Sequence, residues 1–440
     1  MTEQLKLKLN DSKATRWGAL VIVAFTMMAA YYVNDVVAPL KTMLETDLAW
    51  SSTDFGFFTG GYSFLNVFFL MLIWGGLILD RFGIRFTGKL ATILMVGGTA
   101  LEYYAMTGLA GADATLFGIN EIFGYKTGVF VAFAGYSIFG VGAEVAGITV
   151  SKIIAKWFKG KELATAMGVQ VALARIGSQA GYAVAIPLAR AFGISAPVLL
   201  GLVLLLGGMI AFFIFAVMDK KLDKQMEAAA IAAGTEDEEE KFSFKDVKNI
   251  LVNPGFWLIA LLCVLFYSCV FPFQKFASEL MIIKYVSMRM WPVHLPDFRH
   301  WVALILTPVF GGFIDKRGKS ASIMLLGSAM LICVHFIYAI PDINYWLVAI
   351  VLMIILGIAF SLVPSAMWPA VAKIFPVSQL GTAYALIFFI QNIGLWGIPT
   401  LIGWVLDAYC ISGKKPDGTN MYDYTVPMCI FTSIACLSLI

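Results

Sequence analysis

Two charges buried in long apolar stretches are the residues of this chain best placed to do chemistry. Glu144 sits in Gly140-Val-Gly-Ala-Glu-Val-Ala-Gly147, and Arg175 in Ala174-Arg-Ile-Gly-Ser178. Glu144 is twelve residues from Lys156 at the end of its stretch, about 18 Å along a helix at 1.5 Å per residue. Arg175 is fourteen residues from Lys161, about 21 Å by the same rise. If the stretches are helices crossing a bilayer, both charges lie near its middle, at similar depth, on consecutive antiparallel helices. A charge there is costly and by default marks a substrate or ion path. Two readings follow: an ion pair that locks the two helices, or two poles that hold the ends of a zwitterionic solute. The small residues around Glu144 would let neighbouring helices come close.

The elements that must position this pair follow from composition. Hydrophobic residues make up 60% of the chain and charged residues 13%, with a mean hydropathy of +0.84. Soluble domains carry about 45–50% apolar and about 25% charged residues, so a water-soluble globule is excluded. Val198 to Met218 and Tyr345 to Ala372 hold no charge at all. About 20 apolar residues span a hydrocarbon core, and in lipid each backbone N–H must be bonded within its own segment. The chain therefore reads as an all-α polytopic membrane protein. Twelve transmembrane helices are predicted, at about 16–39, 52–79, 87–109, 127–155, 161–190, 195–218, 254–282, 298–314, 320–340, 344–372, 378–406 and 424–440. A charged stretch, 219–253, divides them, giving an N-terminal six-helix bundle (1–218), a cytoplasmic linker (219–253) and a C-terminal six-helix bundle (254–440). The last block is only just long enough to span, which reads as a truncated C-terminus.

Met1 to Arg16 lacks the apolar core of a cleavable signal, so the first block is read as a retained helix. Lysine and arginine concentrate on the N-terminal side of the membrane: Lys6 to Arg16, Arg81 to Lys89, Lys152 to Lys161, Lys220 to Lys248 and Lys316 to Lys319. That places both termini in the cytoplasm. The outer segments hold fewer, among them Lys41, Lys126, Lys284, Arg299 and Lys415.

The halves repeat each other. Gly76-Leu-Ile-Leu-Asp80-Arg81-Phe-Gly83 answers Gly311-Gly-Phe-Ile-Asp315-Lys316-Arg-Gly318, while Arg175-Ile-Gly answers Asn392-Ile-Gly. The two offsets differ by eighteen residues, which the long polar loop at about 110–127 absorbs. The same alignment pairs Glu144 with Ser361, so only the N-terminal half carries the charged poles. Two halves of like topology, with a site between them at the midplane, resemble the layout of major facilitator transporters. The run Gly76 to Arg85 resembles that superfamily's signature between its second and third helices. The resemblance implies a cytoplasmic latch between the halves built on Asp80, Arg81, Arg85 and Asp315. In physical terms Asp80 can accept from a helix N-terminus, and the arginines can bind facing carboxylates or lipid phosphates. The plainer alternative is ordinary positive-inside charge.

A narrower resemblance runs from helix 1 to helix 11. Trp157-Phe-Lys-Gly-Lys-Glu-Leu163, Ala174 to Ser178, Val270-Phe-Pro-Phe273, Thr307-Pro-Val-Phe-Gly311, Met367-Trp-Pro-Ala-Val-Ala372 and Gln379 to Tyr384 are similar to lysosomal dipeptide transporters within the superfamily. The resemblance implies a site in which Glu144 takes the peptide amino group and Arg175 its carboxylate.

Position along the helices adds Tyr31, Tyr32, Asn34, Gln274, Trp368, Gln391, Asn392 and Trp396 as candidate lining residues. Asp35 is nineteen residues from Arg16 and Lys275 twenty-two from Asn253, about 28 and 33 Å up symmetry-mate helices. They read as an outer gate pair or as solvated charges at the rim. Glu102 has no assignment.

No phosphate loop, no Gly-x-Ser-x-Gly and no metal-ligand spacing occurs, so no enzyme, cofactor, metal or nucleic-acid partner is expected. The partners are a small solute and the lipid bilayer. The first reading is a secondary carrier for dipeptides or similar zwitterions working by alternating access. The second is an organic-anion carrier in which Arg175 binds a carboxylate and Glu144 relays protons. The third is a transport-inactive receptor or scaffold, against which the buried charge pair argues. The one Asn-x-Ser/Thr sequon, Asn10-Asp-Ser12, falls on the cytoplasmic side, so the expected location is a bacterial inner membrane.

Overall fold

A computed structural model describes residues 8–111, 114–158, 161–233, 244–285, 295–317, 319–375, 377–415 and 417–439. Its helices are α1 (Lys13–Val36), α2 (Lys41–Asp47), α3 (Ser52–Phe68), α4 (Met71–Ala105), α5 (Thr127–Trp157), α6 (Leu163–Phe192) and α7 (Ala196–Ala233) in the N-terminal part. A short α8 (Phe244–Val252) leads into α9 (Pro254–Lys284), α10 (Leu295–Arg317), α11 (Ser320–Ala339), α12 (Trp346–Ile374), α13 (Val377–Tyr409) and α14 (Thr425–Leu437). Two small antiparallel hairpins sit on the outer side: β1 (Glu121–Ile122) with β2 (Tyr125–Lys126), and β3 (Ile411–Lys414) with β4 (Asn420–Tyr422).

Among the described residues the long helices fall into twelve segments, six before and six after α8, with α4 supplying parts of two of them. Among the described residues seven helices are long and apolar enough to span on their own, eight if α3 and α4 count as one broken span. The second crossing is α3 with the first part of α4. It breaks at Leu70, whose backbone is left-handed (φ 54°), and the chain turns again at Gly83 (φ +75°) to begin the third crossing. The signature run thus folds as a turn inside what is formally one helix, because glycine adopts that φ without a Cβ penalty.

Local sequence sets the ends. Ser51 and Asp54 close a reciprocal capping box at the start of α3, and Asn253 accepts from the Gly255 N–H with Pro254 in the first turn of α9. Small residues bring α4 and α5 together: a Cβ on Gly98 would lie 2.4 Å from the Gly135 carbonyl oxygen.

The sequence predicts a sixth helix ending near 218, whereas α7 runs on to Ala233. Asp219 explains the extension. It is fully buried and accepts from Lys156 Nζ (2.8 Å), Trp157 Nε1 (2.9 Å) and Arg85 Nη1 (3.3 Å). Those bonds pin the start of the expected linker against the N-terminal bundle as packed helix.

Candidate substrate site

Arg175 projects from the middle of α6. Its guanidinium carbon lies 5.6 Å from the Tyr31 ring centroid and 5.5 Å from that of Phe360 on α12. Among the described residues it has no carboxylate within 4.0 Å and no hydrogen bond, and it is only half-buried. Glu144, half-buried on α5, accepts one bond, from the Tyr62 hydroxyl at 3.0 Å. The two charges do not pair with each other. An ion pair locking α5 to α6 is therefore absent from this conformation. Tyr31 on α1 thus faces the Arg175 guanidinium.

An aromatic wall continues from Phe360 on the C-terminal side. Phe360 meets Tyr267 (6.0 Å between centroids). The Tyr267 hydroxyl accepts from Trp368 Nε1 at 3.3 Å, and Trp368 stacks on Phe388 at 4.8 Å. The C-terminal mates of the charged poles bond inside their own helices, and the buried Asn392 Oδ1 has no hydrogen-bond partner among the described residues. Ser361 donates to the Gly357 carbonyl (2.8 Å) and Asn392 to that of Phe388 (2.9 Å).

The other candidate residues divide. Tyr31 and Trp368 belong to the wall just described. Trp396 sits edge-on to Phe68 at 4.7 Å, where α3 meets α13. Gln391 accepts from the Cys263 thiol at 3.5 Å and is buried. Tyr32 is 1% exposed and donates to the Pro197 carbonyl (3.2 Å), so it faces α7. Gln274 is buried, its amide oxygen taken by Arg299.

Asp35 and Lys275 come together at 3.3 Å, both largely buried, rather than standing solvated at the rim. Asn34 joins them: its carbonyl accepts from Lys275, its amide donates to Asp35 (2.9 Å), and the Tyr136 hydroxyl bonds it at 2.9 Å.

A second cluster lies farther out and was not singled out in the sequence. Lys41 bonds Glu45, Ser52 and Glu279. Lys415 lies 3.3 Å from Glu45 and 3.1 Å from Glu279, and the Tyr424 hydroxyl donates to Glu279 at 2.6 Å. Lys41, Glu45 and Ser52 come from the N-terminal half; Glu279, Lys415 and Tyr424 come from the other. The side chains are 0–14% exposed. In the sequence Lys41 and Lys415 read as loop charges, but the 3₁₀ turn Ala38–Leu40 and the β3–β4 hairpin fold inward and bury them. Burial works against the Lys415 ammonium, yet Glu279 and Glu45 outweigh it and hold its pKa above the ordinary lysine value. Beside this ring Asp407 accepts from the Ser52 and Thr53 N–H groups and the Tyr422 hydroxyl. Glu279 stands inside an apolar block, and that is the one sequence signal that pointed here.

The sequence also puts Arg299 in an outer segment. The α10 helix instead takes it in, 1% exposed, with Nη2 donating to Gln274 and the guanidinium over the Phe271 and Phe360 rings.

On the inner side the signature residues bond within the N-terminal half. Asp80 accepts from Lys152 at 3.0 Å rather than from a helix N-terminus, Arg85 pairs with Asp219 and Asp223, and Arg81 lies over Phe82. The Asp315 side chain is outside the described residues. Arg16 grips Glu162 (2.8 Å), and Lys161 bonds Asp11 (2.9 Å), lowering the Asp11 pKa.

The sequence model described as Major Facilitator Superfamily matches residues 20–399. The lysosomal dipeptide transporter MFSD1 of Homo sapiens is 28% identical over 407 residues, covering 90% of this chain and 81% of that protein. Its counterpart in Danio rerio is 27% identical over 400 residues, covering 88% and 80%. Among solved structures, the inward open conformation of the xylose transporter XylE from E. coli superposes with a TM-score of 0.70 at 14% identity, covering 96% of this chain and 94% of that one. The nucleoside transporter NupG gives 0.67 at 12%, covering 96% and 98%. At these identities the structures speak for the fold.

Proposed function

We propose that this chain, which belongs to the Major Facilitator Superfamily, carries dipeptides and similar small zwitterions by alternating access. The observation that carries the proposal is the unpaired state of its two midplane charges. Arg175 has no carboxylate partner among the described residues, and Glu144 has only the Tyr62 hydroxyl. A guanidinium left without an anion in a membrane interior is costly. A solute carboxylate against Arg175 and a solute ammonium against Glu144 would relieve both charges at once. The relatives named lysosomal dipeptide transporters support the same assignment.

Tyr31 and Phe360 hold the guanidinium plane by cation–π contact, leaving its forked edge for a bidentate carboxylate. Trp368 and Tyr267 extend the wall for the substrate side chains. Asp35 with Lys275 serves as an outer gate, and the Lys41, Glu45, Glu279 and Lys415 ring as a second closure beyond it.

Uptake of labelled dipeptides and of labelled monocarboxylates into proteoliposomes tests the proposal. Glu144→Gln should weaken transport of free-amino dipeptides by about tenfold or more and spare their N-acetylated analogues. Equal loss for both ligands would instead give Glu144 a proton-relay or structural role. Arg175→Lys should not restore transport, because an ammonium cannot offer two parallel donors.

The protein is a multi-pass membrane protein. A bacterial inner membrane draws no support from the relatives, which are vertebrate proteins named as lysosomal.

A further inference from the structure

Glu102 is a buried acid that the site described above does not use. It stands near the outer end of α4, fully buried, and neither carboxyl oxygen has a hydrogen-bond partner among the described residues. Two glycines set its surroundings. Gly98, one turn earlier, and Gly135 on α5 bring the two helices into backbone contact, and a Cβ on Gly135 would lie 2.8 Å from the Glu102 nitrogen. α7, which also packs on α4, carries no charge from Ala196 to Met218. Next to Gly135 is Tyr136, whose ring lies 5.7 Å from that of Tyr62 on α3. The Tyr136 hydroxyl donates to the Asn34 carbonyl at 2.9 Å and accepts from Lys275 Nζ at 3.4 Å. Lys275 in turn pairs with Asp35 on α1, and among the described residues its charge is the one that bears on Glu102. Tyr136 thus links the helix that covers the acid to the gate ammonium.

A carboxylate ion with no donor in such packing is costly, and the cation that could offset it belongs to the other half. We propose that Glu102 is a proton-binding site linked to the outer gate, so that a proton bound there favours the outward-open form. The ligand is the proton itself. α4, α5 and Asp35 all lie in the N-terminal half, which moves largely as one body when the mouth opens. What closure changes around Glu102 is the arrival of Lys275. Its ammonium favours the ionised acid, and by reciprocity a proton on Glu102 opposes that arrival. Unit charges roughly 10 Å apart, at an effective dielectric constant of about 20, shift an equilibrium by roughly tenfold. The inference rests on the reading of Lys275 as part of the outer gate.

The test reads opening directly and needs no substrate. A cysteine placed at Tyr31 of the full-length carrier in proteoliposomes is labelled from outside by an impermeant maleimide, at mildly acid and mildly alkaline outer pH. Each rate is divided by that of a fully exposed cysteine, which removes the ionisation of the thiol. Acid should raise the corrected rate about tenfold. Glu102→Gln, which mimics the protonated acid, should hold it near the acid level at both pH values. Lys275→Gln leaves Glu102 intact and should label fast with no response to pH, which decides the matter if Glu102→Gln does not fold. A pH response that survives either substitution, or a wild type without one, overturns Glu102 as the proton site. Lys275→Gln labelled at the wild-type rate at both pH values overturns the gate reading itself.

Discussion

The outer and inner rims of this molecule are built from the same residue types and do opposite things. On the outer rim the charged side chains reach across from one half to the other: Lys41 to Glu279, Lys415 to Glu45, Lys275 to Asp35, and the Ser52 backbone to Asp407. On the inner rim, among the described residues, every ion pair stays within the N-terminal half, as in Arg16 with Glu162 and Lys156 with Asp223. Helix contact follows the same division. α3 and α13 touch backbone to backbone near Gly56, and Phe68 and Trp396 mark the last aromatic contact before α3 breaks at Leu70. A bond between halves exists in one conformation and is broken in the other, whereas a bond within a half survives both. Only the outer set can bias the balance of states. The conformation is closed outside, by ion pairs and by close packing of α3 on α13.

The largest effect should come from the outer ring. Glu279→Gln leaves Lys41 and Lys415 to share Glu45 in a site almost without water. Breaking a buried pair costs about 3 kcal/mol or more, which corresponds to a factor of more than a hundred in an equilibrium constant. A cysteine placed at Tyr31 should then react far faster with an impermeant maleimide added from outside. An unchanged rate would show that the ring is structural and persists in both states.

Gly56→Ala comes next. A Cβ there would lie 2.4 Å from the Pro399 carbonyl oxygen, and a backbone oxygen cannot swing aside as a side chain can. Overpacking of this kind costs roughly 1–3 kcal/mol, here only when the outer mouth is shut, so labelling at position 31 should rise by about tenfold. Asp35→Asn should raise it by less, several-fold, since the Asp35–Lys275 contact at 3.3 Å is longer and Lys275 keeps the Asn34 carbonyl. The exchange Asp35→Lys with Lys275→Asp should return the rate to its starting value. Failure of that exchange to restore it would remove the direct pairing as the cause.

How far these features were readable in the sequence depends on their range. The helices were legible because each is fixed by its own apolar run, and the repeat of Asp80 in Asp315 gave the two halves. Glu144 and Arg175 stood out because a charge inside such a run is conspicuous. The outer ring was not legible, since Lys41 and Lys415 lie in segments that look like loops and meet only through tertiary folding. Arg299 was misplaced for a related reason: it stands at the outer end of its predicted helix, where a charge reads as solvated, and only packing against Gln274 and Phe360 buries it. Gln274 and Tyr32 show the reverse error, where a polar residue at the expected depth turns toward a neighbouring helix. Depth along a helix can be counted from sequence, but the direction a side chain faces is set by packing.

The smallest effect, and the one of opposite sign, should come from the inner rim. Asp80 and Lys152 are 59% and 41% exposed in their side chains, and pairs of that kind are worth at most about 1 kcal/mol. Their bond lies within one half, so its loss alone cannot move the balance of states. If the signature also latches the halves when the inner mouth closes, Asp80→Asn removes an attraction present only in the outward-open form. Labelling at position 31 should then fall by no more than about threefold, while the outer variants make it rise. Combined with Glu279→Gln, the change should be additive on a logarithmic scale, because the two sites are far apart and share no partner. A labelling rate unaltered by Asp80→Asn would mean that the signature makes no bond between halves in either state. Its charges would then serve orientation and the packing of α7 alone.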